Sequence, residues 1–265
     1  MSTKIFYFSG SGNSLAIART IAAGLGDAEI LPIAKSAGGF TGTDEERLGI
    51  VTPVYAWGMP RMIVDFAKRF KSHKGQYVFA VADCAGTPGK TLIQLRKQLR
   101  VNGSDLDAGF AVRGDFLASL TGMGDMPIIK LVQKLAGKSI PLRAGERLDE
   151  IVKAVSNRER HKPETANLAV NLIGSMMYAG AMKMFKNGDR DFSVGDACVS
   201  CGTCTKICPR ENVRLVDDRP TWHQDCEMCY ACYLWCPQKA ISYKGEPPTD
   251  PTHHPDVSLE DMILR

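Results

Sequence analysis

The sequence predicts an α/β fold in its first part, a parallel sheet covered by helices on both faces, with a small second unit after it. Three observations lead to this prediction. Strand and helix patterns alternate over residues 1–163, the composition changes abruptly after Gly188, and the segment that follows contains an internal repeat built on cysteine. A chain of 265 residues is long enough to divide in this way.

The strands and helices of the first part can be placed in chain order. Strands are predicted at KIFYF (4–8), AEILPI (28–33), RLGIVTPV (47–54), QYVFAVAD (76–83) and AGFAVRG (108–114). Helices are predicted over 13–25, 60–70, 90–100 and 146–160. The stretch 115–145 has weaker signals, with a short helical pattern over 128–135, and stays unassigned. Five such strands fit the flavodoxin-like doubly wound sheet of order 2-1-3-4-5.

The rest of the chain divides into three further segments. We predict a connecting helix within 164–188, a cysteine-rich unit over 189–245 and a tail over 246–265. The connecting helix contains an uncharged run, ANLAVNLIGSMMYAGAM (166–182), that is short for a membrane span and includes asparagine and glycine. Because Leu168, Leu172, Met176 and Ala179 share one helical face, we expect this face to pack against the protein, with no membrane span.

Composition excludes several classes of protein. A formal charge of +4, with no run of like charges, is too small to indicate nucleic-acid binding. The N-terminal apolar strand is short and runs into Gly and Ser, so we expect no secretory signal. Of nine cysteines, all but Cys84 lie between Cys198 and Cys236. Clustered cysteines without a secretion signal indicate metal ligands in a reducing cytoplasm rather than disulfides.

The cysteine repeat is the strongest motif in the chain. CVSCGTCTKICP (198–209) recurs as CEMCYACYLWCP (226–237), and each copy reads C-x2-C-x2-C-x3-C-P. This is the run of bacterial two-[4Fe–4S] ferredoxins, in which three cysteines bind one cluster and the fourth binds the other. We therefore predict two clusters with exchanged fourth ligands. One would be bound by Cys198, Cys201, Cys204 and Cys236, and the other by Cys226, Cys229, Cys232 and Cys208.

Two structural zinc ions are the alternative to the clusters, since zinc sites also use C-x2-C pairs. Successive C-x2-C steps followed by C-x3-C-P, present twice, favour iron–sulfur clusters. A segment of this size is too small for a good apolar core, so the clusters are expected to serve as its core.

The loop after the first strand, SGSGNS (9–14), is a candidate anion site. It lacks the lysine of a P-loop and the third glycine of a dinucleotide fingerprint. An iron–sulfur cluster needs a redox partner, and in a sheet of this order FMN lies beyond the carboxyl ends of the strands. The FMN phosphate would then bind at this loop, at the start of the first helix. The residues assigned to it are Ser9, Gly10, Ser11, Gly12, Asn13 and Ser14. The alternative is a plain turn that caps the helix.

Two further loops are predicted to surround the flavin ring. The loop after the third strand contains Pro53, Val54, Tyr55, Ala56, Trp57 and Gly58. Tyr55 and Trp57 would stack on the ring, although a single aromatic is more often part of a core. The loop after the fourth strand contains Asp83, Cys84, Ala85, Gly86 and Gly89. Cys84 would lie beside the ring or serve as a small buried residue.

These motifs together resemble a known family. FSGSGNS resembles the phosphate loop of flavodoxins, and PVYAWGMPRMIVDF, the double cysteine run and HHPDVSLEDM follow in the order of the ferredoxin family that carries an N-terminal flavodoxin-like domain. The resemblance covers almost the whole chain and implies an FMN domain fused to a two-cluster ferredoxin. Serines replace the usual threonines of flavodoxins, and the stretch 115–145 has no counterpart. In the tail, His253 and His254 are expected to dock, with Ser258 capping a short helix.

The resulting functional hypothesis is an electron-transfer protein that passes electrons among an external redox partner protein, two clusters and FMN. One alternative is a flavin-dependent reductase of a small acceptor, such as a quinone or a nitro compound, fed by the clusters. Another is a scaffold in which the clusters only support folding. The sequence indicates no catalytic acid or base.

Overall fold

A computed structural model describes residues 1–36, 44–114, 127–137 and 141–264. About half of the stretch 115–145, which the sequence left unassigned, therefore lies outside the described residues. The short helix predicted within it is present as Pro127–Ala136.

The first part of the chain forms one parallel sheet of five strands in the order β2-β1-β3-β4-β5, which confirms the predicted topology. The strands are β1 (Thr3–Tyr7), β2 (Ala28–Pro32), β3 (Arg47–Pro53), β4 (Tyr77–Cys84) and β5 (Ala108–Arg113). Both faces of the sheet are buried, as the near-continuous apolar runs require. Successive residues contribute to opposite cores: Ile5 and Phe79 lie on one side, and Phe6 and Val78 on the other.

The helices are α1 (Asn13–Leu25), α2 (Arg61–Ala67), α3 (Thr91–Val101), α4 (Pro127–Ala136), α5 (Ala144–Ser156) and α6 (Leu168–Lys186). Residues of α1 and α5 belong to one core, and residues of α2 and α3 to the other. The prediction for α1 was right to the residue. The helix predicted to end at Arg160 ends at Ser156, because Arg158 adopts the left-handed conformation with φ of 51°.

The connecting helix α6 starts where Asn167 Oδ1 accepts a hydrogen bond from Val170 N at 3.0 Å. The predicted packed face is wrong. Val170, Asn171 and Gly174 are buried, whereas the side that carries Leu168 and Met176 is exposed. The reason is Gly174, where the absence of a side chain lets the helix lie directly against Trp57.

The cysteine-rich unit contains two short antiparallel pairs of strands and two short helices. Strands β6 (Phe192–Val194) and β9 (Ile241–Tyr243) pair, and so do β7 (Val213–Val216) and β8 (Arg219–Trp222). Helices α7 (Thr203–Ile207) and α8 (Ala231–Leu234) each follow a C-x2-C step. In the tail, Ser258 caps α9 (Leu259–Met262) by accepting from Asp261 N, as predicted.

The cysteine-rich unit packs on the carboxyl edge of the sheet, and its buried apolar residues join one of the two cores of the sheet. Trp235 Nε1 donates to the carbonyl of Gly10 at 2.8 Å. Arg61 Nη1 donates to the carbonyl of Cys226 at 2.8 Å, and Met62 N donates to Glu227 at 3.0 Å. The two units thus meet at the edge where the FMN loops were predicted.

Candidate iron–sulfur centre

Two cavities lie in the cysteine-rich unit, and each is lined by four cysteines. Around the first are Cys198, Cys201, Cys204 and Cys236. Around the second are Cys208, Cys226, Cys229 and Cys232. These are the two sets that the repeat predicts, each with its fourth cysteine from the other copy. We call them the outer and the inner cysteine set, because Cys201 of the first is exposed whereas Cys229 of the second contacts the sheet unit.

The two copies of the repeat adopt the same backbone conformation. In the first copy Ser200 and Gly202 have positive φ, and in the second Met228 and Tyr230 do so at the same two positions. Left-handed residues at these points turn the chain tightly enough to bring successive cysteines to one cavity. Three of these four residues are not glycine. A left-handed conformation at such residues is strained, and it persists only where contacts with the surrounding structure hold it in place.

The sulfur atoms receive hydrogen bonds from the backbone. Met228 N donates to Cys226 Sγ at 3.2 Å, Asn212 N to Cys208 Sγ at 3.3 Å and Ala240 N to Cys236 Sγ at 3.3 Å. Such hydrogen bonds and the degree of burial are what tune cluster potentials. Burial raises the pKa of Cys226 to about 12, so a thiolate there requires a positively charged group such as iron beside it.

The spacing of the cysteines bears on the zinc alternative. Among the described residues, which include all eight of these cysteines, no group of three or more His, Cys, Asp or Glu side chains converges closely enough for a single metal ion. Zinc requires four ligands at about 2.0–2.3 Å. An iron–sulfur cluster, by contrast, is a larger group that cysteines bind from around its edge.

Comparison with known families agrees with this geometry. Residues 197–241 match the family described as 4Fe-4S dicluster domain. Because of this match, we refer to residues 197–241 as the dicluster domain. A ferredoxin of Pyrobaculum islandicum is 37% identical over 54 residues, which are 19% of this chain and 50% of that protein. The chain thus spans about half the length of the curated relative it matches.

Solved structures similar to part of the chain include two flavodoxins. The flavodoxin of Megasphaera elsdenii is 18% identical, with a TM-score of 0.33, over 42% of this chain and 86% of that one. Flavodoxin 1 of Bacillus cereus is 16% identical, with a TM-score of 0.33, over 44% of this chain and 87% of that one.

The three loops predicted for FMN meet at the carboxyl edge of the sheet, where the dicluster domain is docked. Val54 N donates to Asp83 O at 2.9 Å, and Lys90 N donates to Trp57 O at 2.9 Å. Ser14 Oγ donates to Asp83 Oδ2 at 2.9 Å, so the first loop is linked to the third.

Loop 9–14, predicted to bind a flavin phosphate, makes several contacts within the protein. At the start of α1, Ser14 Oγ donates to the Asp83 carboxylate. A Cβ on Gly10 would lie 2.1 Å from the carbonyl oxygen of Cys229, so the dicluster domain covers the loop. The hydroxyl of Ser9 accepts from Gly12 N at 3.0 Å. Within the loop, Ser9 therefore bonds to Gly12, and Gly10 lies against the dicluster domain.

The two aromatic residues predicted to stack on the ring are half-buried, and each contacts other parts of the protein. Tyr55 lies edge-on to Phe8 and Phe185, with ring centroids 6.1 and 6.2 Å apart. Trp57 lies against Gly174 of α6. Cys84 is buried, and its Sγ donates to Val112 O at 3.4 Å, in agreement with the small buried role.

The tail completes the docking, as predicted for the two histidines. The ring of His253 stacks on Trp235 with centroids 3.9 Å apart and planes 9° apart. His254 N donates to Ser11 O at 2.9 Å. Arg19 of α1 forms an ion pair with Asp261 of α9.

Sequence reasoning missed the side chains that hold the two units together. Arg61 and Arg210 both bind Asp225, and Arg210 also binds Asp65 at 2.9 Å. The carboxyl of Glu227 is buried beside them, and burial raises its pKa to about 7. These residues are far apart in sequence and follow no recognised spacing. Glu227 alone carried a signal, since it is a charged residue within the cysteine run.

Proposed function

We propose that this protein is an electron-transfer protein that holds two [4Fe–4S] clusters, one on each cysteine set. The observation that carries the proposal is the exchange of the fourth cysteine between the two copies of the repeat. Cys236, from the second copy, lines a cavity with the first three cysteines of the first copy, and Cys208, from the first copy, lines a cavity with the first three of the second. Clusters ligated in this way lie close together, and an iron–sulfur cluster transfers single electrons.

The unequal exposure of the two cysteine sets indicates at which of them an external partner would dock. Cys201 of the outer set is exposed, with the exposed side chain of Val199 beside it. The inner set is enclosed by the dicluster domain and the sheet edge. An external redox partner protein would exchange electrons at the outer set, and the inner cluster would be the shielded store. We place the protein in the cytoplasm, where such thiolates stay reduced.

An anaerobic redox titration followed by EPR tests this function. We expect both clusters to be reducible, with about two unpaired electrons per chain on full reduction, one for each cluster that the ligands allow. Clusters that are present but exchange no electrons at accessible potentials would contradict electron transfer and favour the folding scaffold.

A second candidate keeps FMN as the electron partner of the clusters, either as a carrier or as a reductase of a quinone or nitro compound. The observation that favours it is the sheet order β2-β1-β3-β4-β5 with three loops gathered at its carboxyl edge. When bound, FMN would supply storage for two electrons. We derive no step through FMN.

The flavin content of the same preparation decides between the two candidates. FMN released on denaturation in a one-to-one ratio with the chain would support the second. The first candidate, in which the clusters alone carry electrons, would be supported by a different result. In that case the iron-loaded protein would contain no flavin and would show no saturable turnover with a quinone.

A further inference from the structure

Helix α6 presents an apolar face that the described part of the chain does not cover. Along it lie the exposed side chains of Leu168 (85% exposed), Leu172 (62%), Met176 (76%) and Met184 (65%), together with Ala179. We call this set the apolar face of α6. Single exposed apolar residues are ordinary, but a continuous row along a helix of about 28 Å marks an interaction surface.

The opposite side of α6 fixes how the helix is oriented. Val170, Asn171 and Gly174 are buried, and Tyr178 Oη donates to Met59 O at 2.6 Å. Asn171 Nδ2 donates to Ala166 O at 2.7 Å. The helix therefore cannot rotate to bury its apolar face without breaking these contacts.

Helix α4 extends the exposed surface. Leu131 and Leu135 are 46% and 38% exposed, and Asn167 Nδ2, at the start of α6, donates to Leu135 O at 2.7 Å. Leu142, which follows α4 in the chain, is also exposed.

The charges on these two helices are of one sign. Lys134 of α4 and Lys183 and Lys186 of α6 are exposed, and neither helix contains Asp or Glu. Lys183 follows Ala179 by four residues, so it lies on the apolar face itself. A second copy of the chain would bring the same lysines and no carboxylate from these helices. An anionic surface, by contrast, would complement them.

We propose that the apolar face of α6 binds the surface of a membrane that contains anionic phospholipid, with the helix lying in the plane of the membrane. Leucine and methionine would enter the boundary between head groups and acyl chains, and the lysines would reach the phosphates. The helix has the length and apolarity to cross a membrane, but its buried side is already bound to the sheet unit. Lying on the membrane keeps those contacts, whereas spanning would break them. This proposal does not depend on the proposed function.

Flotation of the iron-loaded protein with lipid vesicles tests the proposal. Vesicles of phosphatidylglycerol and phosphatidylcholine in equal parts are compared with phosphatidylcholine alone. We expect binding to the anionic vesicles that weakens at high salt, and much weaker binding to phosphatidylcholine. Met176→Glu is expected to reduce the anionic binding at least tenfold. Val101→Glu, at an equally exposed apolar residue of α3 (73%), should leave it unchanged.

Three results would overturn the proposal. The first is a folded, iron-loaded protein that does not bind the anionic vesicles. The second is equal binding by the two glutamate variants. The third is a concentration-dependent dimer in sedimentation that Met176→Glu abolishes, because it would assign the face to a second copy. Iron content and circular dichroism of both variants confirm that each is folded.

Discussion

At the residue scale, the cysteine spacing predicted the most. The spacing of the run predicts two sets of four cysteines, and the same two sets line the two cavities. The roles of Ser14 and Asp83 could not be predicted in this way. The bond between them joins residues 69 positions apart.

Exchange of the fourth ligands gives a prediction for single cysteines. Cys204→Ser and Cys236→Ser lie in different copies of the repeat but should alter the same cluster, whereas Cys208→Ser should alter the other one. EPR spectra of the reduced variants measure this. The control is Cys84→Ala, which removes a buried cysteine outside both sets and should leave the iron content unchanged. Matching spectra for Cys204→Ser and Cys208→Ser would contradict the exchange.

The closest approach between the two units gives a second prediction. Gly10→Ala would place a methyl group 2.1 Å from Cys229 O, so the inner cysteine set and the loop must move apart. We expect a loss of about 1–3 kcal/mol in stability, as for other overpacked sites. The urea midpoint under anaerobic conditions measures it. Gly86→Ala is the control, because nothing lies within 4 Å of its added Cβ. Equal midpoints for the two variants would show that the loop is not covered by the dicluster domain.

At the element scale, the strands and helices were predictable to within a few residues, because apolar runs and the glycine after α1 mark them locally. The orientation of α6 was not. Nearly every position of that helix is apolar or small, so periodicity could not distinguish the packed side from the exposed side. The small residue Gly174 decided it through its fit against Trp57.

Two glycines of α6 test its orientation. Gly174→Ala would bring a Cβ within 2.6 Å of the Cβ of Trp57, and we expect it to destabilise the protein by about 1–3 kcal/mol. Gly180→Ala faces open space, and by helix propensity it should stabilise the protein by up to about 1 kcal/mol. Thermal midpoints of the two variants should therefore shift in opposite directions. A shift in the same direction would contradict the packing of α6.

At the scale of the whole molecule, a parallel sheet carries a small domain whose buried apolar residues join one of the two cores of the sheet. The order of the five strands was predictable, since alternating strands and helices leave few topologies. The docking of the dicluster domain over loop 9–14 was not, because it depends on contacts such as that of Trp235 with Gly10.

Removing the iron should destabilise the dicluster domain and leave the central strands of the sheet stable. With an oxidant and a chelator we expect backbone hydrogen exchange to become fast over 198–241 and over loop 9–14, while β3 and β4 stay protected. We expect the clusters to serve as the core of the small domain, whereas the two central strands are buried on both faces. Unchanged protection over 198–241 would show that the dicluster domain folds without metal.

The central claim is that the eight clustered cysteines bind two [4Fe–4S] clusters. Metal and sulfide analysis of anaerobically purified protein tests it most directly. We predict about eight iron atoms and about eight acid-labile sulfides per chain, four of each for every cluster. Protein that contains zinc and no labile sulfide would contradict the account.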